Sequence, residues 1–142
     1  MHEIFIDGAS LGNPGPAGVG AVILREDGSA LCEISRSIGH ATNNIAEYLA
    51  LVYALLEAQR LGCREVAVKT DSELLERQIN GRYKVRDVHL RLFFDMVTYL
   101  TGTFADFKIA HVPRALNERA DRLAGLAAKS AAREISEKAL KK

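Results

Sequence analysis

Cysteine is scarce in this chain, net charge is almost absent and no hydrophobic run is long; each shortage removes a class of protein. The two cysteines, Cys32 and Cys63, form no disulfide framework, zinc spacing or redox motif. Cys32 alternates with Ala30 and Ile34 in a strand-like run, so it reads as a small core residue, a usage that suits a reducing cytosol. A formal net charge of +1 over 142 residues excludes a nucleic-acid binder that works by bulk charge. Any such activity must rest on local patches. No apolar stretch is long enough to span a bilayer, and charged and turn residues begin too early for a secretory leader. Internal repeats and low-complexity segments are absent as well. The expectation is one soluble cytoplasmic domain over residues 1–142, making no membrane contact, with Lys138 to Lys142 fraying.

What is present divides the chain in two. In the first part, His2 to Asp7 reads as a strand, followed by the dense turn chemistry of Gly12-Asn13-Pro14-Gly15-Pro16. Val19 to Leu24 is a second strand, and Asp27-Gly28 turns it into a third that runs from Ala30 to Ile38. This is an antiparallel meander. In the second part strands and helices alternate. A helix over Thr42–Leu61 stops near Gly62, Val66 to Thr70 is a strand, and Glu73 to Ile79 is a short helix. Val88 to Leu100 is helical by its spacing of Leu92, Met96 and Leu100, and Phe104 to Val112 is a last strand before Pro113. An alanine-rich helix from Leu116 to about Lys138 closes the chain. Alternation of this kind implies parallel, right-handed crossovers. The fold class is α/β, a five-stranded mixed sheet of three antiparallel strands and then two parallel ones, flanked by helices.

Four acids stand where folding does not ask for one. Asp7 follows an apolar strand, and Asp71 lies at the carboxyl end of another, where open α/β sheets place ligands. Glu47 lies one turn inside an almost wholly apolar helix, on the face of Ala50, Ala54 and Ala58. Asp121 shares a helix face with Ala124, Gly125 and Ala128, small residues that let a helix approach a sheet. Taken singly, each acid reads as a cap or a surface charge, Glu47 included. Taken together they would repel by several kcal/mol unless cations joined them. Oxygen ligands without His or Cys favour Mg²⁺ or Mn²⁺ over zinc. Two such ions about 4 Å apart clamp the attacking water and the leaving oxygen of a phosphodiester.

Four separated motifs carry a resemblance. Asp7-Gly8-Ala9-Ser10 with Gly12 to Gly18, Thr42-Asn43-Asn44 with Ala46-Glu47, Thr70-Asp71-Ser72, and Asn117-Glu118-Arg119-Ala120-Asp121 occur in the order of the type 1 ribonuclease H family. The chain resembles that family over nearly its whole length. The resemblance implies a ribonuclease H-like fold in which Asp7, Glu47, Asp71 and Asp121 bind two Mg²⁺ or Mn²⁺ ions and catalyse. It implies internal cleavage of the RNA strand of RNA/DNA hybrids, leaving a 3′-hydroxyl and a 5′-phosphate. Gly8, Ala9, Ser10, Asn13, Asn43, Asn44 and Glu73 are then positioned to contact substrate, and Thr42 resembles the residue that holds a phosphate of the DNA strand. Asparagine amides both donate to and accept from a 2′-hydroxyl. Asn43 and Asn44 also read as helix caps, and the two roles are compatible.

The departures from the family are local. Many relatives carry a histidine in a mobile loop before the last acid, whereas Val112-Pro113-Arg114-Ala115-Leu116-Asn117 is short and has none. Arg114 is the candidate to reach the scissile phosphate instead, against the reading of a plain surface arginine. His111 lies on the strand side and reads as structural. Gly81-Arg82-Tyr83-Lys84-Val85-Arg86 is too short for the extra basic helix of some relatives, and with Arg91 makes either a reduced basic patch or a solvated turn. His40 stands where relatives place an arginine near the DNA-phosphate threonine, which suggests a pH-sensitive pocket. A short-loop subgroup of the family is similar in these respects. The expected partner is an RNA/DNA hybrid, with double-stranded RNA as a second candidate substrate, and the expected state is a monomer. Two other readings stand beside it: a hybrid-binding module without catalysis, and a carboxylate-dependent exonuclease on a related fold.

Overall fold

The first three apolar runs become strands β1 (His2–Ser10), β2 (Gly15–Leu24) and β3 (Ala30–Ala41) in the computed structural model, which describes residues 1–141. They form the antiparallel meander that the turn residues demand. β1 and β2 run farther than their apolar patterns suggest, because Gly8, Ala9 and Ser10 continue the ladder opposite Val19, Gly18 and Ala17. The small residues there are strand positions over which helices pass closely, rather than turn positions.

Helix α1 (Asn43–Arg60) follows, then β4 (Glu65–Thr70), α2 (Glu73–Ile79), α3 (Val88–Thr101) and β5 (Asp106–His111). A single 3₁₀ turn, Arg114–Leu116, precedes α4 (Glu118–Leu140). α4 therefore starts two residues later than its apolar pattern indicates, since Pro113 and the 3₁₀ turn consume the connection. At the other end it runs through Lys138 to Leu140, and of the segment expected to fray Lys142 lies outside the described residues. The sheet order is β3-β2-β1-β4-β5, with β4 parallel to β1 and β5 parallel to β4.

Helices cover both faces. On one, α1 buries Ala50, Leu51, Ala54, Leu55 and Ala58 against Ile4, Ile6 and Val68. Each fully buried Leu or Ile contributes about 1.5–3 kcal/mol by leaving water. Cys32 is half-buried beside this core, and burial raises its thiol above the ordinary value. On the other face α4 lays Ala120, Ala124, Ala127 and Ala128 over β2. A Cβ on Gly20 would come within 3.0 Å of the Ala120 carbonyl and the Ala124 amide, so only glycine permits this approach. Ser35 Oγ donates to the Leu123 carbonyl at 2.7 Å and Ser37 Oγ to that of Ala127 at 3.0 Å, fastening β3 to the same helix. No described helix is long and apolar enough to cross a membrane.

Candidate active site

Each of the four acids is delivered by a different element. β1 and β4 are hydrogen-bonded neighbours, with Ile6 opposite Thr70, so Asp7 and Asp71 leave the sheet side by side at its carboxyl edge. Glu47 reaches the same place because α1 crosses β1 at Gly8. A Cβ there would come within 3.0 Å of the Ala46 carbonyl carbon and the Glu47 amide. Carboxylate oxygens of Asp7, Glu47 and Asp71 lie within 4.8 Å of one another. Asp121, from the first turn of α4, lines the same open depression of about 300 Å³ with Asp7, Asp71, His111, Pro113 and Arg114.

Such crowding is costly without a cation. Asp7 is almost wholly buried, and its carboxyl is held far above the usual range, first by burial and then by the charges of Glu47 and Asp71. Burial likewise raises Glu47, with Asp71 adding to it, while a hydrogen bond from Asp7 works the other way. The direction common to both is a cluster that cannot ionise fully by itself. Glu47 Oε2 is buried and has no hydrogen-bond partner, an arrangement that normally costs a few kcal/mol. An all-oxygen donor set with an orphaned carboxylate atom fits a hard divalent cation, and these residues are the ones that would hold it.

Around the acids, the predicted contact residues fall into two groups. Asn43 Oδ1 accepts from the Ser10 amide at 3.1 Å, and Asn13 Oδ1 accepts from the Asn43 amide at 2.9 Å, tying the β1–β2 turn to the start of α1. Only Thr42 caps the helix, through Ile45 N at 3.2 Å; Asn43 is a bridge and not a cap. Asn13, Thr42 and Asn44 line a second cavity of about 280 Å³ together with Ile45, Asp87, His89 and Leu90. The histidine at this cavity is His89 from the first turn of α3. His40, assigned to it from the sequence, is an exposed residue of β3 opposite Pro16 and is not among the residues that line it.

Glu73 starts α2, is exposed, and pairs with Arg77 one turn on, outside the acid depression. Arg114 is highly exposed and lies 3.6 Å from Asp121, so it stands at the depression's rim. At the connection before α3, Arg77 of α2 lies over the ring of Tyr83 at 5.1 Å, and within α3 Arg91 pairs with Asp95. Of the basic residues grouped with this stretch, Arg91 is thus paired within its own helix. His111, read from the sequence as structural, is instead exposed and lines the depression, and Asn117, given no role of its own there, is a buried amide whose Nδ2 donates to the Ile6 carbonyl. The signal for His111 was its place at the carboxyl end of a strand, the same signal that marked Asp71.

A mixed sheet in this order, with carboxylates from β1, α1, β4 and the last helix at one edge, defines a ribonuclease H-like domain. A family model described as reverse transcriptase-like matches residues 5–127. Ribonuclease HI from Halobacterium salinarum is 47% identical over 87% of this chain and 62% of its own length. A ribonuclease H from a Shewanella species is 32% identical over 96% of this chain and 93% of its own. In space, the LC11-RNase H1 structure in complex with an RNA/DNA hybrid superposes with a TM-score of 0.88 at 41% identity, covering 92% of this chain and 99% of that one. The chain belongs to the ribonuclease H family. It spans just under two thirds of the Halobacterium relative and 36% of a bifunctional protein from Mycobacterium tuberculosis.

Proposed function

We propose that this chain is an endoribonuclease that hydrolyses the RNA strand of RNA/DNA hybrids, leaving 5′-phosphate and 3′-hydroxyl ends. The observation that carries the reading is the convergence of Asp7, Glu47 and Asp71 within 4.8 Å, with Asp121 beside them in one depression. Two Mg²⁺ or Mn²⁺ ions bound there would neutralise the acids and supply Lewis acidity to the phosphodiester and its attacking water. Asp7, Glu47 and Asp71, with Asp121 beside them, are the residues that would hold the ions.

The protein's own part is positioning. Burial of Asp7 and Glu47 keeps the carboxylates fixed in a partly water-excluded place, where charge interactions are strong. The Ser10–Asn43–Asn13 bridge holds a polar ledge beside the acids, suited to the 2′-hydroxyls that distinguish RNA from DNA. Thr42, Asn44 and His89 surround the second cavity, where a phosphate of the DNA strand would sit at the start of α1. Arg114 would meet the scissile phosphate from the rim. The protein would act as a cytoplasmic monomer.

The test is a labelled, end-blocked RNA/DNA hybrid incubated with each ion, beside an all-RNA duplex. Internal cuts in the hybrid, abolished by Asp7→Asn and Asp71→Asn, are expected. Metal-independent binding without cuts would make the chain a hybrid-binding module, and cutting only of unblocked ends would make it an exonuclease.

A further inference from the structure

His111 is the last rung of the parallel ladder between β4 and β5, opposite Thr70, one residue before Asp71. The sheet continues to hold the backbone just beyond it, since the Val112 amide donates to the Thr70 carbonyl at 2.8 Å. Its imidazole lines the acid depression, is exposed, and makes no side-chain hydrogen bond or ion pair among the described residues. The fold therefore gains nothing from this side chain, yet fixes its base rigidly.

Its surroundings narrow what it does. The depression holds three carboxylates, Asp7, Asp71 and Asp121, and two nitrogen donors, Arg114 and His111. Arg114 already faces Asp121 at 3.6 Å. His111 is left as the donor in this wall with no protein acceptor, next to the strand end that carries Asp71. A neutral imidazole presents one N–H and an imidazolium two, so donation does not depend on its charge state. The acceptors that a nucleic acid brings into such a depression are non-bridging phosphate oxygens.

We infer that His111 is a further substrate-binding residue, its ring N–H donating to a non-bridging oxygen of an RNA phosphate beside the bond being cut. This rests on the hybrid-cleavage reading above. A hydrogen bond to a charged oxygen at an exposed place contributes affinity more than rate. His111→Ala should raise KM about fivefold to tenfold with kcat within about twofold, and His111→Gln, an uncharged donor, should recover most of the loss.

The decisive measurement places single methylphosphonate linkages, each removing one phosphate's charge, along the RNA strand around a unique cleavage site. At one position the substitution should weaken the wild type and leave His111→Ala unchanged, the coupling expected of a broken contact. Equal effects on both proteins at every position would overturn the inference, as would an unchanged KM in His111→Ala. Failure of the wild type to cut the unmodified hybrid would instead overturn the functional reading itself. Thermal unfolding of His111→Ala should match the wild type, because the side chain has no intramolecular partner.

Discussion

The Asn117 side-chain amide donates to the Ile6 carbonyl at 2.8 Å in the protein interior, joining residues 111 positions apart. Ile6 precedes Asp7, and Asn117 caps the turn that leads to Asp121, so this one bond ties the first acid to the last. Asn117→Ala removes this buried hydrogen bond, at a cost of about 0.5–1.5 kcal/mol. Chemical denaturation should show that loss. Divalent-ion affinity, followed by calorimetry, should fall in the same variant because Asp121 is no longer held.

Asp7 and Glu47 set a pH dependence in the metal-free protein. Both have folded-state values above those of an unfolded carboxyl, so the folded state binds more protons. Their contribution to stability is therefore complete below the unfolded value, about 4, and declines as pH rises toward neutrality and beyond. Thermal melts in EDTA across that span should show Tm falling with pH, and added Mg²⁺ or Mn²⁺ should reverse the fall with release of protons.

Removing the crowded charge should have the same sign. Asp7→Asn is expected to stabilise the metal-free protein near neutral pH by on the order of 1–2 kcal/mol while abolishing cleavage. Equilibrium unfolding with and without chelator checks this, and the gain should shrink when the comparison is made in saturating metal.

Gly20→Ala tests the close approach of α4. The added methyl meets the Ala120 carbonyl and Ala124 amide, neither of which moves without the helix. Overpacking of this kind costs about 1–3 kcal/mol or more. Because α4 carries Asp121, activity should fall by more than the stability loss explains, seen as reduced turnover at temperatures where the variant remains folded.

Arg114→Ala separates rim chemistry from folding. Arg114 is largely exposed and its pairing with Asp121 is long, so stability should change by less than about 0.5 kcal/mol. Turnover of the hybrid should drop more than affinity for it. Steady-state kinetics beside a melting curve separates the two.

Much of this site was legible in the chain because its acids offend local rules. Asp7 ends an apolar strand, and Glu47 interrupts the small-residue face of Ala50, Ala54 and Ala58, all of which are fully buried. The sheet topology followed from the change between meander and alternation. What could not be read were positions fixed by contacts distant in sequence. The apolar pattern of β1 stops at Asp7, so its continuation through Gly8, Ala9 and Ser10, with α1 crossing at Gly8, was not visible. Asn43 resembles a cap until its side chain is seen holding Ser10. His89, not His40, lines the cavity with Thr42, because proximity to Thr42 along the chain is not proximity in space.

The bond between Asn117 and Ile6 also fixes when in the life of the chain this centre can exist. A ribosome-bound or truncated chain that ends before the closing helix has β1, β4 and most of the core, but lacks both the latch and the fourth acid. Such a chain keeps Asp7, Glu47 and Asp71 but not Asp121, so the four-acid site is incomplete. The cleavage proposed above would therefore depend on the last helix docking onto the first strand.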